Sequence, residues 1–269
     1  ARAAATGAQQ PCQPPLEPWQ DVAVASIGSE PMHATFVPYA SREEALRLDG
    51  RPSPWVLSLD GPWRFHWVPR PDQRPVGFER DGYDLSSWVE FPVPANWEFH
   101  GYGTPRYLNS DYTFGPTPPQ PPFLPADDNP VGSYRRTFTV PAAWADRRVF
   151  LHFGGVNSAF YAWVNGREVG YSQDSKTPAE FDVTDLLRPG ENTGAVQVFR
   201  YSVGSYLEAQ DMWRPAGIVA VTLRSERCRR SSTDCSQAPR GRMRPRSKSS
   251  TYTVPSSPSS RLCAFRSAW

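Results

Sequence analysis

An all-β chain, most simply an antiparallel jelly-roll sandwich, is the fold class this sequence predicts, and three observations point to it. Short runs of alternating aromatic and β-branched residues recur with no intervening stretch of helical period. The 269 residues include 30 Pro and 19 Gly, which break long helices and suit short strands joined by irregular loops. Finally, Asn165-Gly166 stands between two such runs, and this dipeptide accepts the positive φ angles of a tight hairpin turn.

The elements follow in order. Residues 1–18 are rich in Ala, Gln and Pro and carry no hydrophobic periodicity, so a disordered leader is expected. With no initiator Met and no apolar signal core, this leader reads either as the remnant of a processed export signal or as a trimmed chain end. The folding part opens at Trp19. Residues 31–39 read as extended and 41–48 as a short helical turn. Residues 58–68 (SLDGPWRFHWV) read as strand, Asp-Gly turn and strand, with Trp63, Phe65 and Trp67 on one face. Residues 91–103 form a Pro-punctuated extended segment in which Trp97 and Phe99 are placed to pack. The stretch 109–129 is dense in proline yet holds Phe114 and Phe123, which marks an ordered loop rather than a linker. Strands are expected at 133–140 and 148–153. The hairpin follows, running out over 159–164 and returning over 167–171. A turn over 184–192 leads to closing strands at 196–201 and 217–223. The folding domain is thus expected to span 19–223.

Aromatics are 13% of the chain, with 10 Trp, a supply that fills the core of a large sandwich. Charge is divided unevenly. Residues 224–269 hold 11 basic and 2 acidic side chains, whereas residues 1–223 hold 18 basic and 25 acidic ones. The basic excess belongs to the tail, so it argues for no nucleic-acid partner of the domain. No run of 18 apolar residues exists, and no membrane partner is expected. Cys12, Cys228, Cys235 and Cys263 all fall outside the β-rich middle, in spacings that match no zinc pattern, so no disulfide framework is expected. The compartment stays open between bacterial cytoplasm and periplasm. The tail, with 12 Ser among its 46 residues, is expected to be disordered. Three origins compete for it: a solvated extension, a basic partner-binding arm, or out-of-frame text from the GC-rich gene that 27 Arg against 2 Lys suggests.

The chemistry-bearing residues cluster in 154–184 (GGVNSAFYAWVNGREVGYSQDSKTPAEFDVT) and 205–214 (SYLEAQDMWR). Asn157, Gln173, Asp174, Glu180, Glu208, Gln210, Asp211 and Arg214 sit there among aromatics, a mixture suited to sugar hydroxyls and ring faces. With PVPANWEFHGYGTP (92–105) and NPVGSYRRTFTV (129–140), these runs closely resemble the N-terminal domain of the β-galactosidases of glycoside hydrolase family 2. The resemblance covers about residues 19–223. It implies a jelly roll that packs against a TIM barrel and lends side chains to the rim of a galactose site. By that resemblance Asn157 would hydrogen-bond galactose, and Asp211 would contact a galactose hydroxyl and help ligate a sodium ion. Read from their neighbours alone, Asn157 has the alternative of a strand-end amide serving backbone groups, and Asp211 that of a salt-bridge partner of Arg214. Glu208 and Trp213 would support the site. The chain departs from the family pattern at Val203 and Ala209, where acids usually stand, and in the last strand, PAGIVAV.

Retaining glycoside hydrolysis needs two carboxyl groups about 5–5.5 Å apart. The family carries both on the barrel, with most ligands of its catalytic magnesium. A barrel takes about 250 residues, and 46 follow Leu223. Nothing in the sequence raises the pKa of one sandwich acid while leaving another ionised. His33, His66, His100 and His152 stand isolated. The expectation is therefore a sugar-binding domain of a β-galactosidase without the catalytic barrel, the parent a homo-oligomer that hydrolyses β-D-galactosides. A free-standing carbohydrate-binding module and a non-functional truncation are the alternatives.

Overall fold

The structure, a computed structural model, describes residues 16–47, 52–109, 112–115, 118–208 and 211–227. The strands, in chain order, are β1 (Ser26–Ile27), β2 (Val56–Ser58), β3 (Gly61–Val68), β4 (Val89–Val93), β5 (Ala95–Asn96), β6 (Tyr107–Leu108) and β7 (Val131–Thr139). They continue with β8 (Arg147–Asn157), β9 (Ala159–Val164), β10 (Arg167–Ser172), β11 (Ala179–Asp182), β12 (Glu191–Phe199), β13 (Met212–Trp213) and β14 (Gly217–Arg227). The short helix α1 (Arg42–Leu46) is capped by Ser41, whose hydroxyl accepts the Glu44 N–H at 3.2 Å.

Seven strands form one sheet in the order β1-β10-β9-β12-β7-β3-β4, and β11-β8-β14-β2, with β5 also on β14, form the second. Every ladder between described strands is antiparallel, as a sandwich requires. The core lies between the sheets. Phe160 of β9 meets Phe153 of β8 at 4.5 Å and stands edge-on to Phe181 of β11 at 6.1 Å. Along β9 the alternation expected of a strand sends Phe160, Ala162 and Val164 into this core. Tyr161 and Trp163 point the other way, and that face is covered too. Trp19 stacks on Phe199 at 5.2 Å, while Phe78 lies against Trp88 and Trp163, each at 5.6 Å. The tryptophans therefore serve both faces of the larger sheet, with Trp63, Trp97 and Trp144 in the central core.

The hairpin stands where the sequence put it. Asn165 has φ 51° and Gly166 φ 76°, and the Asn165 side chain donates to the Leu186 carbonyl and accepts the Thr193 N–H. Other expectations need correction. Asp60-Gly61 folds no hairpin, because β2 belongs to the smaller sheet and β3 to the larger; the chain crosses between layers there, held by Arg136 on the Leu59 and Asp60 carbonyls. Phe99 is 63% exposed, whereas Trp97 beside it is fully buried. The last strand runs to Arg227, four residues past the expected end. Arg224 and Ser225 are buried, because the Arg224 guanidinium meets the buried Glu180 carboxylate. Bulges at Ile218/Ala220 and Ala220/Val221 adjust its register against β8. The four cysteines, Gln210, residues 1–15 and the tail from 228 onward lie outside the described residues.

Gly132 on β7 is required by close approach. A Cβ there would lie 2.5 Å from the Trp97 ring and 2.9 Å from Phe65. Gly132→Ala is expected to lose about 1–3 kcal/mol through overpacking, read as a lower urea midpoint with unchanged slope.

Candidate functional site

Of the residues singled out by the sequence, Asn157, Glu208 and Arg214 gather where β8 ends and β14 begins, with a two-stranded ribbon of β6 and β13 nearby, whereas Glu180 lies farther along the smaller sheet beside His152. An aromatic cluster fixes this region. Phe114 lies 4.6 Å from Tyr201 and 4.9 Å from Tyr206, and Tyr112 lies 4.9 Å from Tyr206. Buried Asn129 holds both backbone groups of Tyr201, donating to its carbonyl at 3.0 Å and accepting its N–H at 2.8 Å. The aromatics of the 109–129 loop divide: Phe114 is buried, while Phe123 is half exposed and lends its carbonyl to the Tyr206 hydroxyl.

Asn157 pairs in register with Gly217 and donates its amide to the Pro215 carbonyl at 2.5 Å. It borders a cavity of about 20 Å³ shared with Ser175, Arg200, Glu208 and Arg214. That volume accommodates about one water and no sugar ring. Glu208 accepts from the Ser175 N–H at 2.8 Å and from its hydroxyl at 2.5 Å. Burial pushes the Glu208 carboxyl above the usual range, against the pull of the Ser175 bonds and the Arg214 charge. Burial likewise lowers Arg214, partly offset by Glu208 and Tyr201. Arg214 is tied to the ribbon through its own N–H, which donates to the Arg106 carbonyl at 3.1 Å.

Asp211 stands apart from this cavity. Its carboxylate is exposed and accepts from the Tyr107 hydroxyl, a bond that raises the phenol pKa. In the ribbon Trp213 pairs with Tyr107, their rings 5.6 Å apart, and both stay open to solvent, 56% and 45% exposed. Beside them lies a cleft of about 450 Å³ lined by Arg106, Tyr107, Tyr112, Phe114 and Asp128, with Arg106 and Asp128 paired at 2.6 Å. The site end thus has a filled polar interior and one exposed aromatic and acidic surface. Among the described residues no group of three or more His, Cys, Asp or Glu converges on a point. The Tyr107 hydroxyl engages Oδ1 of the Asp211 carboxylate.

A family model described as "Glycosyl hydrolases family 2, sugar binding domain" matches residues 56–225. The chain belongs to this family. It is 46% identical over 187 residues to a β-galactosidase of Priestia megaterium, covering 69% of this chain and 18% of that protein. A β-galactosidase of Halalkalibacterium halodurans is 43% identical over 200 residues, covering 74% and 20%. The chain therefore spans about a fifth of the length of these curated relatives. A solved β-glucuronidase 2 of Bacteroides uniformis aligns with a TM-score of 0.48 and 21% identity, over 64% of this chain and 18% of that one.

The family 2 domain holds charged groups that the sequence did not single out. Glu98 accepts the Ala216 N–H at 2.9 Å and faces Arg200 at 3.5 Å, both side chains almost wholly withdrawn from water. Nor are all four histidines isolated, because His33 and His152 both approach Glu180, at 2.7 and 3.6 Å. These partners are 147 and 28 positions apart in the chain, so only the folded chain brings them together.

Arg200→Met would leave Glu98 buried without its cation, at an expected cost of about 3–5 kcal/mol near neutral pH. Burial already holds the Glu98 carboxyl above the usual range despite Arg200. A group raised on folding favours the fold when protonated, so the deficit should shrink in acid and grow as pH climbs through the folded pKa. Urea melts at about pH 4, 5.5 and 7 test this sign. Arg200→Met combined with Glu98→Gln should recover most of the loss.

Proposed function

We propose that this chain supplies the sugar-binding domain of a β-galactosidase acting on terminal β-D-galactosides, and that the β6–β13 ribbon is where sugar meets it. The observation that carries the reading is the exposed Tyr107–Trp213 pair with the Asp211 carboxylate at its edge, in a chain 46% identical over 187 residues to part of a β-galactosidase. An aromatic face receives the C–H side of a pyranose, and a carboxylate accepts from its hydroxyls. Asp211 is the contact residue in this reading, and its other oxygen is available as one sodium ligand. Asn157, spent on Pro215, positions the start of β14 behind the ribbon. The catalytic carboxyl pair, the magnesium and the homo-oligomeric contacts are assigned to the barrel-bearing remainder of a longer protein, in keeping with the span of the relatives.

Titration of the chain with methyl β-D-galactoside, followed by the NMR signals of the Trp213 indole and Tyr107 ring, checks the proposal. Saturable shifts with a dissociation constant on the order of 1 mM are expected. Trp213→Ala and Asp211→Asn should each weaken binding about tenfold or more. Equal binding of methyl β-D-glucoside, or shifts confined to other residues, would overturn the assignment.

A further inference from the structure

Residues 30–38 lie as a strap that starts at the β11 edge of the smaller sheet and reaches Arg224 of β14, two strands in. At one end the Glu30 N–H donates to the Glu180 carbonyl at 2.8 Å. At the other, Arg224 donates to the Phe36 carbonyl at 2.9 Å with its guanidinium 4.8 Å from the Phe36 ring, and the Ser53 hydroxyl donates to the Pro38 carbonyl. Between these anchors sits His33. Its Nε2 is 2.7 Å from Glu180 Oε2, and its Nδ1 is 2.9 Å from the Ala34 carbonyl oxygen.

Both neighbours can only accept. A backbone carbonyl carries no proton. Burial alone would raise the Glu180 carboxyl, but the nearby His152 ring and the hydrogen bonds from Arg224 and His33 bring it down to about 2, so it is ionised. Two acceptors require two N–H donors, and an imidazole has two only as the cation. We propose that the docked strap holds His33 as imidazolium, and that residues 30–38 form a proton-dependent latch on the sheet edge.

The surrounding charges are consistent with this. Glu180 of β11 faces His33 directly, and Arg224 of β14 and His152 of β8 approach the same carboxylate from behind. Within the strap Glu30 lies 3.7 Å from Arg148, which is itself paired with Asp182 at 2.7 Å. The Ala34 carbonyl and then Glu180 raise the His33 pKa above the ordinary 6.5, against desolvation and the Arg224 charge. A raised histidine pKa means that the latch is complete below 6.5 and is lost as pH rises through the folded value. In acid it holds until Glu180 itself takes up a proton.

Hydrogen exchange of the Glu30 amide in the full chain, corrected for the intrinsic exchange rate, reads the latch. Its protection should fall tenfold for each unit by which the His33 pKa exceeds 6.5, over the interval in which the ring titrates by NMR. His33 is 40% exposed, so His33→Gln keeps a donor toward Glu180, removes the charge and leaves the core intact. In that variant protection should be lower and flat with pH. A flat profile in the parent chain, the same step persisting in His33→Gln, or a His33 ring titrating at or below 6.5 overturns the proposal.

Discussion

Glu98 and Arg200 face each other with side chains 0% and 2% exposed, and the segments that build the site end of the sandwich are tied to one or the other. Glu98 takes the Ala216 N–H just before β14. Arg200, one residue past β12, gives its backbone N–H to Pro130 at the foot of β7 and its Nη2 to Thr104 just before β6. Removing two charges from water costs several kcal/mol per ion, and their attraction repays this only when the remaining polar atoms find partners. Ala216 and Thr104 supply a backbone partner to each side chain, while Glu98 Oε1 and Arg200 Nε face only each other at 3.5 Å. The pair therefore obliges the loops to sit in one arrangement, and the ribbon that presents Tyr107 and Trp213 inherits its position from that obligation.

Local chemistry made much of the architecture legible. The β9–β10 hairpin could be read because Asn165-Gly166 is a short-range signal that no distant contact overrides. Alternation on β3 and β9 was equally plain, since a two-residue period survives in any sandwich. What sequence periodicity cannot carry is partnership. The Asp60-Gly61 dipeptide looks like a hairpin turn, yet β2 finds β14 and β3 finds β7, strands far along the chain. Arg224 looked like the first residue of a basic tail because composition averages charge over a window. One buried acid, Glu180, reverses the sense of that single arginine and extends β14.

The site was legible as a neighbourhood more than as a set of roles. Asn157, Glu208 and Arg214 do meet, but around a space for one water, each engaged by backbone or by one another's field. Asp211 lies outside that space, and its partner is the Tyr107 hydroxyl rather than Arg214. Tyr107 had no signal of its own, because it sits on a two-residue strand, too short for periodicity to show. It is the pairing of Tyr107 with Trp213 across the ribbon that turns two ordinary aromatics into a surface.

The two buried glutamates show how little the residue type decides. Glu98 and Glu180 are both withdrawn into the fold, and burial penalises the charge of each. Glu98 has one backbone donor and an arginine at a distance too long for a good hydrogen bond, so burial prevails and its carboxyl is raised. Glu180 is met by His152, Arg224 and His33, and the donors prevail. The consequence is mechanical. A carboxylate whose proton affinity has been driven to the acid extreme is a fixed anchor across ordinary pH, so any titration of the strap must come from what binds it. Of its three donors the arginine stays charged throughout. His152 stands at 3.6 Å inside the sheet, and His33 at 2.7 Å on the strap itself. His33 is thus the titratable partner that belongs to the strap itself.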